Sequence, residues 1–221
     1  MIKSDYIVFD VETGGLDETK NPITQYAAVI LDGCTLKEKD MFETFVKPYN
    51  SLIVEQSALK ATMVTMSDIN NGVSVNDFVG AVTEWWNSWQ ASAKSREQGR
   101  LIAVGHNVPF DIRFVDYALR FTKKGNFFDW HFNNFIDTFA LAKMTWGVDR
   151  VQKLNLGMCC ENAKINLNNA HNAMNDVRAT ADLLRWYVKR MRSKRSTENV
   201  SVENNGRKKG DEFFEFKCGG K

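Results

Sequence analysis

No run of eighteen apolar residues occurs in the sequence, which speaks against a membrane-spanning helix. The opening residues, MIKSDYIVFD, lack the apolar segment and small-residue cleavage site of a secretory signal, so a cytoplasmic location without membrane contact is expected. The four cysteines, Cys34, Cys159, Cys160 and Cys218, contain no CxxC pair and read as reduced thiols. Only three histidines are present, dispersed at His106, His131 and His171, which makes a structural zinc site a poor reading. No internal repeat appears, and no linker interrupts the chain before residue 190.

What is present suffices for a full hydrophobic core. The chain has 221 residues, of which 43% are apolar, 25% charged and 12% aromatic. A chain of this length can bury roughly 70% of its unfolded surface, so it needs no disulfide staple. The net charge of +2 is unevenly spread. Residues 189–221 hold ten Lys or Arg against five acids, leaving a slightly acidic body ahead of a basic tail. Such a tail adds a non-specific attraction for phosphate, or is simply a solvated end.

Tyr6-Ile7-Val8-Phe9 is an unbroken apolar run suited to a strand buried on both faces. Tyr26–Leu31 and Met41–Val46 read as the next two strands, with Asp32-Gly33 as the turn between them. These three form an antiparallel meander. Residues 55–70 hold short helical stretches. Asn76 is a candidate cap for a helix through Trp85, Trp86 and Trp89, and residues 91–100 read as loop. Leu101–Val104 is a fourth strand and Phe110–Phe121 an amphipathic helix. Phe135-Ile136 is a fifth strand, with helices expected over Thr138–Met144 and Leu154–Cys160. Asn172 is placed to cap a last helix from Ala173 to about Met191, followed by a mobile tail from Ser193. The class is therefore α/β: a mixed five-stranded sheet, antiparallel in its first three strands, flanked by helices.

Three acidic clusters interrupt this pattern. Asp10 and Glu12 stand two apart at the end of the first strand, so both carboxylates project from one face. They repel each other and are costly to desolvate. A divalent cation would remove the conflict, and carboxylate oxygens suit Mg²⁺ or Mn²⁺. A lone DxE is equally explained by a strand running out into solvent. Asp111 follows His106-Asn107-Val108-Pro109-Phe110 at the start of a helix, where the helix dipole alone would favour an acid by roughly 0.3–1 kcal/mol. The third cluster is His171-Asn172-Ala173-Met174-Asn175-Asp176. At about 100° per residue, His171 and Asp176 cannot point the same way from one regular helix. A shared site requires His171 in the approaching loop and Asp176 in the first turn.

Taken in order, DxE, HNxxFD and H-x4-D resemble the DEDDh group of DnaQ-like 3′→5′ exonucleases, over about residues 4–190. Asp137-Thr138-Phe139-Ala140-Leu141-Ala142 is similar to a further segment of that family. The resemblance implies a ribonuclease-H-like fold, an exonuclease domain at 1–192 and a basic C-terminal tail at 193–221. It implies Asp10, Glu12, Asp111 and Asp176 as ligands of two Mg²⁺ or Mn²⁺ ions, with His171 as general base. The reaction implied is release of nucleoside 5′-monophosphates from the 3′ end of single-stranded DNA. RNA trimming of the RNase T or oligoribonuclease type is the alternative, and an inactive interaction module a more distant one.

Two departures from the family pattern stand out. Thr13-Gly14-Gly15 replaces two threonines and a glycine, and Gln25 stands where the family often carries Glu. The candidates for substrate contact are Thr13, Gly14, Gly15 and Leu16 after the DxE, together with Met63, Asn107 and Phe110. Glycine at 14 and 15 would let backbone approach the terminal nucleotide. Phe110 could stack on a base, although a core position is favoured. Trp85 and Trp89 at helical spacing also fit core and rim better than base stacking. Asp211–Phe216 is a candidate docking segment for a polymerase or clamp, and a homodimer is left open.

Overall fold

The computed structural model describes residues 4–91, 100–147, 154–167 and 172–202. In chain order the strands and helices are β1 (Tyr6–Thr13), β2 (Ile23–Leu31), β3 (Glu38–Phe45), α1 (Gln56–Ala61), α2 (Met66–Asn71), α3 (Val75–Ala91), β4 (Leu101–Gly105), α4 (Pro109–Phe121), β5 (His131–Asp137), α5 (Thr138–Trp146), α6 (Leu156–Ala163) and α7 (Ala173–Val202). A 3₁₀ turn at Phe127–Asp129 precedes β5. Contacts divide the chain into a main unit, Met1–Trp186, and a second, Tyr187–Lys221. No helix among the described residues is long and apolar enough to cross a membrane.

The five strands form one sheet in the order β3-β2-β1-β4-β5. β1, β2 and β3 pair antiparallel, whereas β4 runs parallel to β1 and β5 parallel to β4. This is the expected mixed sheet. Strand order reverses at β1, and the carboxyl ends of β1 and β4 lie side by side. Crevices at such a switch point are where open α/β sheets bind ligands.

Period-two alternation splits the sheet into two faces. Ile7, Phe9 and Val11 of β1 share a face with Tyr26, Ala28 and Ile30 of β2. That face packs against Phe78, Val79, Val82 and Trp86 of α3 and against Phe114, Val115, Ala118 and Leu119 of α4. Burying each Val, Leu or Phe side chain among them contributes about 1.5–3 kcal/mol. Val8, Asp10 and Glu12 take the opposite face, with Gln25, Ala27, Val29 and Leu31. α7 runs over this side: the Ala173 amide reaches Gln25, and Arg185 Nε donates to the Leu36 carbonyl.

Trp86 is fully buried, and Trp85 and Trp89 are rim residues packed against the core, in line with their helical spacing. Their indole N–H groups both donate to Asp40 Oδ2, at 2.7 and 3.3 Å, tying α3 to the edge strand β3.

Several boundaries differ from the sequence expectation. α3 is capped by Ser74: its Oγ accepts from the Asp77 amide at 3.2 Å and donates to the Asp77 carboxylate at 2.6 Å. Asn76 therefore lies within the first turn. β5 begins at His131, not at Phe135. α7 continues to Val202 where a helix end near Met191 was expected. Its extra segment, as far as Val202, contains Lys, Arg and Glu but no Pro or Gly to break the helix. The loop expected over 91–100 and the docking segment at Asp211–Phe216 lie largely or wholly outside the described residues.

Candidate active site

Asp10 and Glu12 sit at the carboxyl end of the central strand, opposite Ala27 and Gln25 of β2. The chain breaks register between Glu12 and Thr13, so the regular pairing ends just past the acids. Asp176 comes from the first turn of α7. Asn172 caps that helix as expected, its Oδ1 accepting from the Asn175 amide at 3.3 Å and its carbonyl from Asp176. One carboxylate oxygen from each of Asp10, Glu12 and Asp176 lies within 4.8 Å of the others.

Asp111, from α4, stands outside that 4.8 Å group, but its charge acts on both Asp10 and Glu12. Because β4 is parallel to β1, the turn after Gly105 delivers α4 beside the carboxyl end of β1. Asp111 is buried, and its Oδ1 accepts a hydrogen bond from the Val11 amide at 3.1 Å, between the two strand acids. This tie is not one that an acid favoured by the helix dipole alone would need.

The electrostatics follow from crowding. Desolvation, followed by the charges of Asp176 and Asp111, pushes the Glu12 carboxyl up to about 8. Asp10 is raised well above the usual carboxylate range by desolvation, then by Asp111, Glu12 and Asp176. Asp111 is also raised by burial, against the opposing hydrogen bond from Val11. A buried set of like charges needs protons or a cation. The donors are all hard carboxylate oxygens, which suit a divalent cation such as Mg²⁺ or Mn²⁺.

The turn that carries Asp111 is held by groups that the acid motifs do not include. Asp137 caps α5 by accepting from the Phe139 amide at 3.0 Å, and the same Oδ1 accepts from the Asn107 amide at 2.8 Å. Asn107 has a left-handed φ of 65°, a conformation Asn tolerates, and its side chain is exposed. The Thr138 hydroxyl lies 3.0 Å from both the Gly105 carbonyl and His106 Nδ1. His106 Nε2 lies 3.0 Å from the Leu154 carbonyl, which can only accept, so the ring proton sits on Nε2. Burial lowers the His106 pKa and keeps the ring neutral. The Asp137-Thr138 pair thus clamps the turn that leads into Asp111.

The substrate candidates fall into two groups. Thr13, Gly15 and Leu16 face Ala58, Ala61 and Thr62 of the α1 region across a pocket of about 310 Å³, with Glu55 and Ser57 also on its wall. Leu16 is 82% exposed. Met63 is exposed but is not among the residues lining this pocket. The two glycines meet their own chain closely. A Cβ on Gly14 would lie 2.8 Å from the Pro22 ring, and one on Gly15 would lie 2.5 Å from the Asn21 side chain. Asn21 was missed in the sequence, although Asn-Pro is a turn signal. It is buried, and its Nδ2 donates to the Ile53 carbonyl at 3.0 Å and to Glu55 Oε1 at 3.2 Å. It therefore fixes the pocket wall to the glycine turn. Phe110 is half-buried against Phe114, with its ring centroid 4.8 Å away and the Arg113 guanidinium 5.7 Å over its face. His171 lies outside the described residues.

Comparison with known proteins shows the family and the fold. The exonuclease family model of the RNase T type matches residues 7–184. Ribonuclease T of Marinobacter nauticus is 32% identical over 193 residues, covering 84% of this chain and 83% of that protein. The PolC-type DNA polymerase III of Oceanobacillus iheyensis is 28% identical over 204 residues, covering 92% of this chain but 13% of the polymerase. The chain thus spans little more than a tenth of the polymerases it matches. Among solved structures, E. coli exonuclease I in complex with a dT13 oligonucleotide superposes with a TM-score of 0.69 at 19% identity, covering 92% of this chain and 44% of that one. Cell-death related nuclease 4 gives 0.68 at 16% identity, covering 85% and 64%. With the motifs in order on a ribonuclease-H-like sheet, the chain belongs to the exonuclease family, in its DEDDh, DnaQ-like group.

Proposed function

We propose that the protein is a divalent-metal-dependent 3′→5′ exonuclease that releases nucleoside 5′-monophosphates from single-stranded DNA ends. The observation that carries this reading is the convergence of Asp10, Glu12 and Asp176 to within 4.8 Å at the switch point of the sheet. Asp10, Glu12, Asp111 and Asp176 would hold two Mg²⁺ or Mn²⁺ ions. Bound there, the ions supply Lewis-acid charge that stabilises the attacking and leaving oxygens of an in-line displacement.

The chain's own groups do the rest. Four carboxylates would balance the four positive charges of two such ions, leaving the anionic scissile phosphate as the remaining ligand. The Val11 amide holds Asp111 in place through Oδ1. His171, the residue before the Asn172 cap in sequence, takes the proton of the attacking water, a role that a neutral imidazole can fill. The pocket between Thr13–Leu16 and α1 receives the terminal base, with Leu16 exposed at its rim. Phe110, half-buried, offers a ring face near Asp111. Asn107 acts through its backbone, by holding the turn against Asp137.

RNA is the second reading, and one observation favours it. Ribonuclease T of Marinobacter nauticus matches along 83% of its own length, whereas the polymerases match over a small part. The DNA reading draws on those polymerases and on exonuclease I, which is seen with a DNA oligonucleotide. The test is hydrolysis of 3′- and 5′-labelled DNA and RNA of one sequence, at several lengths, with Mg²⁺ or with chelator. Stepwise shortening from the 3′ end with mononucleotide products supports the proposal, and the faster strand decides the sugar. Internal cleavage, or no metal-dependent cleavage of either strand, sinks it. Docking of a polymerase or clamp by Asp211–Phe216 would be a separate property of the tail.

A further inference from the structure

Gln25 is fully buried at mid-sheet and is paired in register with Glu12. Its carboxamide is used at both ends. Nε2 donates to Glu43 Oε1 on β3 at 2.8 Å, and Oε1 accepts from the Ala173 amide at 3.4 Å. Ala173 is the first residue of α7, and an amide at that position has no acceptor within its own helix. Asn172 serves the amides of Asn175 and Asp176, but not that of Ala173. The sheet thus supplies the remaining acceptor, through a side chain 148 positions earlier.

A neutral amide suits this place. It gives a donor to a carboxylate on one side and an acceptor to a backbone amide on the other. A glutamate at 25 would face Glu43 with two acceptors and no donor, and would add a negative charge beside Glu12. Glu43, exposed on the edge strand, anchors the other end of the amide.

We propose that Gln25, with Glu43 as its anchor, is a positioning residue that seats the start of α7 on the sheet and so sets where Asp176 stands relative to Asp10 and Glu12. Its catalytic consequence rests on the proposed exonuclease reading; its structural consequence does not. The effect resembles that of outer partners of metal ligands, whose loss typically costs about 10–100-fold in metal affinity or activity.

The experiment compares wild type with Gln25→Met, Glu43→Gln and Glu43→Met. Three quantities are read: exchange of the Ala173 amide in metal-free protein, Mn²⁺ affinity, and kcat and KM on a single strand. Gln25→Met keeps length and burial but loses both hydrogen bonds. It should speed Ala173 exchange at least about tenfold and weaken Mn²⁺ binding by about 10–100-fold, with kcat falling and KM nearly unchanged. Glu43→Gln retains an acceptor and should stay within a few-fold of wild type, whereas Glu43→Met should shift in the direction of Gln25→Met. Wild-type exchange and Mn²⁺ affinity in Gln25→Met would overturn the proposal. If that variant fails to fold, a Glu43→Met protein indistinguishable from Glu43→Gln would overturn it instead. If wild type hydrolyses neither DNA nor RNA, the nuclease reading fails, while amide exchange and Mn²⁺ binding still decide the role of Gln25.

Discussion

Asp111 accepts a hydrogen bond from the amide of Val11, one hundred positions earlier in the chain, at 3.1 Å. The bond needs an acceptor but not a charge. Asp111→Asn should therefore keep its fold, while Asp111→Leu leaves a buried amide unpaired and should lose about 1–3 kcal/mol in urea unfolding. Both should lose at least the 10–100-fold in hydrolysis typical of an outer partner of a metal ligand. A fully active Asp111→Asn would remove Asp111 from the ligand set.

The crowded acids make metal-free stability depend on pH. Glu12 is pushed up to about 8 from its ordinary 4.5, and Asp10 is raised in the same direction. Between those values the folded protein holds protons that the unfolded chain has released, so stability falls as pH rises. In chelator, the Tm at pH 8.5 should lie below that at pH 6.5, and Mg²⁺ should remove most of the difference. A Tm in chelator that is level across this range would contradict the crowding.

His131 acts in the opposite direction at lower pH. It is buried with ring centroids of Phe127 and Trp86 at 4.3 and 4.6 Å, and neither ring nitrogen has a hydrogen-bond partner among the described residues. Burial, then the Arg100 charge, pushes it down to about 3. Below about 6.5 the unfolded chain takes up a proton that the folded one refuses, so stability is lost as pH falls from there. His131→Leu should flatten that limb in urea titrations at pH 6.5, 5.5 and 4.5. An unchanged limb would assign the acid sensitivity elsewhere.

His171 should separate from the carboxylates kinetically. His171→Ala should keep strand and Mn²⁺ affinity but slow single-turnover cleavage by about 10²–10⁴, the usual worth of a positioned general base. The wild-type rate should rise with pH through the imidazole ionisation, and that limb should vanish in the variant. Weakened Mn²⁺ binding with the limb intact would make His171 a ligand or a structural residue.

Local patterns were readable in the sequence wherever one segment's chemistry decides the outcome. The apolar run of β1, the turn at Asp32-Gly33 and the Asn172 cap needed only neighbouring residues. So did the DxE, whose two acids share a face by strand period alone. Of the missed features, the Ser74–Asp77 cap is local, a Ser-x-x-Asp pattern that the sequence itself carries, and the others depend on contacts across the chain. Ser74 displaced Asn76 as the α3 cap because Asp77 completes a reciprocal pair with it. Gln25 looked like a departure from a family pattern until the start of α7 lay above it. Gly14 and Gly15 signalled close approach, and the structure shows the approach to be of Pro22 and Asn21. The roles of Asp137 and Thr138 likewise emerge only once β4 and β5 lie side by side.

Calorimetric titration of Mn²⁺, paired with product sizing on a labelled single strand, tests the carboxylate site most directly. Wild type should bind two ions and release nucleoside 5′-monophosphates from the 3′ end only when they are present. Asp10→Asn and Asp176→Asn should fold, lose ion binding and lose hydrolysis together. Hydrolysis undiminished by chelator, or wild-type rates from Asp10→Asn, would contradict a metal site built on Asp10, Glu12, Asp111 and Asp176.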